Sequence, residues 1–210
     1  MAESRVRVKI CGIKSIHDAR LAVESGVDAI GLVFFEPSPR HVDISTAHGI
    51  VASLPPFVTS VALFVDPEET YVQEVMHEVG VGMLQFHGSE SEQFCSQFDF
   101  PYMKAIRVRD DVNLLQCAHL YPSASALLAD AYAEGMVGGS GQTFDWTLIP
   151  DGLPCPLILS GGLDAGNVTQ AIQQVRPYAV DVSSGVERAK GIKDLVKIKA
   201  FMQGVANATL

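Results

Sequence analysis

The chain has 210 residues, with 15 Lys+Arg against 24 Asp+Glu and a formal net charge of −9. Its 48% apolar and 19% charged residues suit a globular chain with a substantial core, not a disordered one. The acidic balance argues against nucleic acid as a partner, since such a protein presents a basic face, and it disfavours a membrane surface.

Met1–Lys9 has no apolar h-region and no small-residue cleavage site, so no secretory signal is expected. The first strand-like run is Val6–Cys11, and Ser15 follows as the expected N-cap of a helix. Gly26 punctuates the way to a second run, Ala29–Phe34, and Pro55-Pro56 the way to a third, Thr59–Phe64. Val72, Val75, Met76 and Val79 then recur with helical spacing, and Gly80 closes that segment. Gly82–Phe86, Tyr102–Ile106 and Ala126–Asp130 follow as strands, with Pro122 between the last two. Leu157–Ser160 is the seventh run, after which Asp164 is the expected cap of a helix marked by Val168, Ala171, Ile172 and Val175. Ala179–Val182 is the eighth, and Asp194 caps a final helix carrying Leu195, Ile198, Met202 and Val205. No stretch approaches the ~18 uncharged apolar residues of a transmembrane helix.

Several of these runs are continuously apolar, the pattern of parallel strands covered on both faces. Eight strands alternating with helices give a period of roughly 25 residues, the size of a compact βα unit. A closed barrel and an open doubly wound sheet both fit. The count of eight favours the α/β class with a single (β/α)8 TIM barrel, and so does the placing of Gly-rich or polar patches after strand ends. One catalytic domain, 1–210, is expected. Cys11, Cys95, Cys117 and Cys155 fit no CxxC pattern, which points to a reducing, cytoplasmic setting, and the last three read as buried small hydrophobes.

The last two strand–helix turns carry the most chemistry. Ser160-Gly161-Gly162 follows the seventh strand and Ser183-Ser184-Gly185 the eighth. Barrels often bind phosphate there, where glycines admit a ligand to backbone N–H groups. The simpler explanation is a pair of tight turns. Neither is a Walker loop, and no GxGxxG opens a helix after the first strand, so a nucleotide cofactor is not expected. Cys11 ends the first strand, which puts a thiol at the barrel mouth unless it is mere packing. Asp130 ends the sixth strand as a general acid or base, or as a cap. The two strands stand three steps apart around a ring of eight, so an acid and a base could face each other across a substrate, as an isomerisation needs. Arg40, stiffened by Pro37 and Pro39, can grip a carboxylate bidentately. His87 closes the fourth strand as a hydrogen-bonding rim residue, and the Gly138-Gly139-Ser140-Gly141 run reads as a mobile rim loop. The six histidines form no metal-ligand spacing, and no GxSxG elbow is present, so no metal is expected.

The ordered set VKICGI (Val8–Ile13), FEPSPRHV (Phe35–Val42), QFHG (Gln85–Gly88), LLADA (Leu127–Ala131), GGSGQTFDW (Gly138–Trp146), LSGGL (Leu159–Leu163) and VDVSSGVE (Val180–Glu187) resembles the phosphoribosylanthranilate isomerase family of tryptophan biosynthesis. The resemblance implies a single barrel without a cofactor, acting on a small phosphorylated substrate. The implied reaction is an Amadori rearrangement of N-(5-phosphoribosyl)anthranilate to 1-(2-carboxyphenylamino)-1-deoxyribulose 5-phosphate. It implies Cys11 as the general base and Asp130 as the general acid, with Asp145 a nearby competitor. It further implies Arg40 at the anthranilate carboxylate, Asp181 near the sugar hydroxyls and His87 at the same mouth. The phosphate falls to Gly161, Gly162, Ser184 and Gly185. Phe86 departs from the aliphatic residue expected there. The chain is expected to be monofunctional, as a monomer or homodimer. Another phosphosugar isomerase barrel and a non-catalytic phosphometabolite-binding barrel are the competing functions. An imidazole-pathway isomerase would want Asp where Cys11 stands, and an epimerase a His/Asp metal set.

A substrate carrying phosphate and carboxylate is repelled by a net charge of −9. Attraction must then be local, and raising salt from about 0.05 to 0.3 M should leave substrate KM unchanged or slightly lower. A steep rise in KM with salt would reveal a long-range attractive field.

Overall fold

The computed structural model describes residues 5–131 and 143–208; the Gly138–Gly141 run lies outside them. Eight parallel strands alternate with the connecting segments: β1 (Arg7–Cys11), β2 (Ala29–Val33), β3 (Thr59–Phe64), β4 (Met83–Phe86), β5 (Tyr102–Val108), β6 (Ala126–Ala131), β7 (Leu157–Leu159) and β8 (Ala179–Val182). Each pairs with the next, and β8 returns to β1 with Lys9 opposite Asp181, so the sheet is a closed barrel and not an open one.

The continuous apolar runs follow from this closure. Outward residues such as Val8, Ile10, Ile30, Leu32 and Leu84 pack beneath the helices in one large core. Inward residues alternate with them. Val61, Met103, Ala105, Ala126, Leu128, Ile158 and Ala179 form an inner apolar cluster. Phe86 fits because it faces outward into an aromatic file, stacked on Phe64 at 6.2 Å and Phe98 at 6.0 Å.

The helices are α1 (Ile16–Glu24), α2 (Ile44–Ala52), α3 (Glu69–Val79), α4 (Glu92–Ser96), α5 (Leu114–Leu120), α6 (Val168–Val175) and α7 (Leu195–Ala206). Ser15 caps α1 by accepting from the Asp18 N–H, and Asp194 caps α7 by accepting from the Lys197 N–H. Asp164 does not cap α6. Its carboxylate accepts from the Gly166 N–H at 2.7 Å, closing a turn ahead of the helix, and Asn167 takes the cap position. After β6 the described residues hold a 3-10 turn, Trp146–Leu148, rather than an α-helix. A short antiparallel hairpin, β9 (Glu187–Ala189) with β10 (Ile192–Lys193), follows β8. Strands of three and two residues are too short to show a period in sequence. Cys95 is buried as expected, whereas Cys117 and Cys155 are only partly so; all four thiols are free.

The loops after β7 and β8 are clamped to their neighbours. Gly161, at φ 85°, lies where a side chain would collide with the Ala131 backbone. A Cβ on Gly185 would land on the Leu163 carbonyl oxygen. Gly185→Ala should therefore part these two loops and cost about 1–3 kcal/mol, read as a lower urea midpoint. An unchanged midpoint would mean that the contact is not under constraint.

Candidate active site

At the C-terminal ends of the strands one pocket is lined by Cys11, Arg40, Gln85, His87, Asp130, Ser160, Asp181 and Ser183, with Val33, Phe35, Leu63 and Val65 as apolar walls. Two larger cavities, ≈ 430 and ≈ 420 Å³, open among strand starts at the opposite end. Convergence of titratable groups, not size, singles out the smaller pocket.

Cys11 and Lys9 share the inward face of β1. Two glycines make room around them. A Cβ at Gly31 would come within 2.8 Å of the Cys11 Sγ, and one at Gly12 within 2.6 Å of the Arg40 side chain. Below the thiol, Lys9 Nζ donates to Asp181 Oδ1 at 2.9 Å with both side chains buried. Burial alone would push the Lys9 ammonium down, but Asp181 and Cys11 outweigh it and leave Lys9 above its ordinary value. Burial pushes the Cys11 thiol up; Lys9 pulls it back, Asp181 adds to the rise, and Lys193 opposes it. The thiol is thus held above its ordinary value, away from neutrality.

Across the ring, β6 presents Asp130. Its Oδ1 accepts from the Ala131 N–H at 2.9 Å, and its Oδ2 lies 3.0 Å from His87 Nε2. His87 Nδ1 lies in turn 3.0 Å from Gln85 Nε2. All three side chains are buried. Asp145 is outside the pocket lining: it caps the 3-10 turn, accepting from the Thr147 N–H and hydroxyl.

Arg40 is buried and already paired. Its Nε and Nη2 donate to the two oxygens of Glu187 at 2.8 and 2.9 Å, which spends the side-on fork of the guanidinium. Lys193 Nζ donates to the same carboxylate at 2.9 Å and to the Ser183 carbonyl at 3.1 Å. The β9–β10 register sets Glu187 opposite Lys193. Burial raises the Glu187 carboxyl, but Arg40 and Lys193 overcome that and hold it below its ordinary value.

Cys11, Arg40, His87, Asp130 and Asp181 therefore meet in one pocket. Gly161, Gly162, Ser184 and Gly185 do not line it; they follow the lining residues Ser160 and Ser183 along the chain, at the rim. Sequence reasoning missed Gln85 and Glu187, and it left Lys9 without a role. Gln85 carried a signal, being a polar residue in an apolar strand two places before His87. Among the described residues, no three His, Cys, Asp or Glu side chains cluster as a metal site.

The closed barrel and this set of converging groups define a (β/α)8-barrel enzyme built for proton transfer. Residues 8–204 match the family model for N-(5'-phosphoribosyl)anthranilate isomerase. The chain is 60% identical over 200 residues to a protein of that name from Nitrosospira multiformis, covering 95% of this chain and 96% of that one. It superposes on the crystal structure of phosphoribosyl anthranilate isomerase from Thermotoga maritima with TM-score 0.87 and 39% identity, covering 96% and 98% of the two chains. A second such structure, in complex with reduced 1-(o-carboxyphenylamino)-1-deoxyribulose 5-phosphate, gives TM-score 0.84 at 38% identity, with coverage of 96% and 98%. The chain belongs to the N-(5'-phosphoribosyl)anthranilate isomerase family.

Glu187 carries a pH signature. A carboxyl held below its ordinary value of 4.5 stabilises the fold above that pH and loses the contribution as pH falls through its lowered value. Glu187→Gln should cost about 3 kcal/mol or more at pH 7 and flatten the acid side of the stability curve, measured by urea unfolding from pH 7 to 3.5. Equal pH slopes in the two proteins would remove Glu187 from the acid transition.

Proposed function

We propose that the chain catalyses the Amadori rearrangement of N-(5-phosphoribosyl)anthranilate to 1-(2-carboxyphenylamino)-1-deoxyribulose 5-phosphate, with Asp130 as acid and Cys11 as base. The observation that carries it is the meeting of these two groups, from strands three steps apart, in one pocket with Arg40. Asp130 donates a proton to the furanose ring oxygen. The C1–O bond breaks, its electron pair goes to that oxygen, and the nitrogen lone pair forms a cationic C=N bond. That cation acidifies the C2 proton, which the Cys11 thiolate removes to give an enolamine that tautomerises to the ketone.

A thiol pushed up by burial suits this order of events. A cation formed beside Cys11 favours its thiolate, so the thiol gives its proton to solvent and deprotonated Cys11 is populated at the stage that needs it. The Arg40 guanidinium holds the anthranilate carboxylate, and Asp181 faces the sugar hydroxyls with His87 at the same mouth. Backbone N–H groups of Gly161, Gly162, Ser184 and Gly185 hold the phosphate; the clamping of these two loops supports that assignment. The protein works in the cytoplasm as one domain over residues 1–210, either as a monomer or as a homodimer, without a nucleic-acid or membrane partner. Among the described residues no helix is long and apolar enough to cross a membrane.

The test follows the loss of substrate fluorescence. Wild-type protein should abolish the signal, and the acid limb of kcat/KM should follow the thiolate fraction of Cys11. Cys11→Ala and Asp130→Asn should each lower kcat by about 10²-fold or more. Unchanged decay with wild-type protein rejects the activity, and full activity in either variant rejects that residue's role.

A further inference from the structure

Gln85 is the one fully buried side chain of the pocket that the proposed reaction leaves without a task. It sits on the inward face of β4, and the chain of contacts Gln85 Nε2–His87 Nδ1 and His87 Nε2–Asp130 Oδ2 runs through two 3.0 Å steps. Its other amide atom, Oε1, is buried and has no hydrogen-bond partner. We infer that Gln85 is a positioning residue whose amide turns over as the His87–Asp130 pair gains and loses a proton. This rests on Asp130 being the acid.

A neutral imidazole carries one N–H. When Gln85 Nε2 donates to His87 Nδ1, the ring proton must be on Nε2, where it is donated to Asp130. The pair then holds one proton, and Asp130 has none to give. To act as an acid the pair needs a second proton. If that proton is on Asp130 Oδ2, it is donated to His87 Nε2 and the ring proton moves to Nδ1. If it is on the ring, Nδ1 again carries hydrogen. Both doubly protonated forms turn Nδ1 from an acceptor into a donor.

An aliphatic side chain cannot meet both demands from one slot. A primary amide can, because a half-turn about its last bond exchanges oxygen for nitrogen. The unpartnered Oε1 is then the acceptor held in reserve for the protonated pair. Transfer of one proton from Asp130 to the ring oxygen takes the pair from two protons to one, and the amide turns back; solvent restores the proton before the next turnover. Other groups facing the pair are Cys11 from β1, Arg40 from the loop after β2 and Asp181 from β8. Arg107 of β5 donates to the His87 carbonyl at 3.5 Å.

The test compares wild type with Gln85→Met, which keeps the volume, and Gln85→Glu, whose carboxylate only accepts. Gln85→Met should lower kcat about tenfold with KM within about twofold. Gln85→Glu should move the basic limb of kcat/KM to higher pH by about one unit, since it favours the doubly protonated pair. Nitrogen-15 NMR of His87 reads the device without turnover. Wild type should carry its proton on Nε2 at high pH and gain Nδ1–H as pH falls, while Gln85→Met should lose the Nε2 preference. A Gln85→Met protein with wild-type kcat and a wild-type His87 titration overturns the inference. If wild type fails to turn over the substrate, the reaction is rejected separately and the NMR comparison still decides the role of Gln85.

Discussion

A lysine and an aspartate buried inside a barrel are the constraint on which this molecule turns. Lys9 is on the first strand and Asp181 on the last, 172 residues apart, and they meet at the seam where the sheet closes. Removing either charge from water costs several kcal/mol, which is recovered only when the partner is in place. An open sheet would leave both unpaired and buried, so the pair penalises any arrangement in which β8 misses β1 or slips in register. It also forms the floor beneath Cys11. Closure of the fold and assembly of the electrostatic setting of the base are thus one event.

The same device recurs around the rim. Arg40 and Lys193 share Glu187, which fixes the loop after β2 to the hairpin after β8. Lys104 and Glu90 form a third buried pair. Lys104 Nζ also donates to the Gly88 carbonyl at 2.7 Å, and the Glu90 carboxylate accepts from the Asp66 and Gly88 N–H groups. That network holds the turn on which His87 stands. Buried pairs are poor sources of net stability but strict specifiers of position. Here they sit beside Cys11, Arg40 and His87, groups that the proposed reaction needs held to within fractions of an ångström.

The fold was legible because closure makes each strand a short apolar run and each cap a recognisable residue. Ser15 and Asp194 act as their sequence positions indicate. Asp164 does not, because its carboxylate closes a turn three residues ahead of the cap, a distinction that leaves no trace in composition. Cys11, Asp130 and His87 were legible since polar residues at the ends of apolar strands are conspicuous, Arg40 through the two prolines that stiffen its loop, and Asp181 only through the family resemblance. What bound them to one another was not. The Arg40–Glu187 contact spans 147 residues and depends on a hairpin too short to announce itself. Gln85 carried only the signal of a polar residue inside an apolar strand, and its role emerges when its contact to His87 is seen.

Charge at the site runs against charge on the molecule. Around Cys11, Lys9, Lys193 and Arg40 face Asp181 and Glu187, three cations against two carboxylates, within a chain of net charge −9. Asp130 brings a third carboxylate to the same pocket, so its cations and carboxylates balance where the molecule as a whole is anionic; their fields are felt strongly at a few ångströms and scarcely at all beyond a Debye length. Such a site is not a funnel for anions. In the proposed reaction its selectivity depends on direction: the Arg40 guanidinium, the backbone of two clamped loops and a thiol that acts as a base when a cation forms beside it. A larger positive field would bind the anionic substrate more tightly. It would also oppose the cationic C=N intermediate through which the proposed reaction passes, and that opposition gives a physical reason for most of the cations in this pocket to be matched by carboxylates.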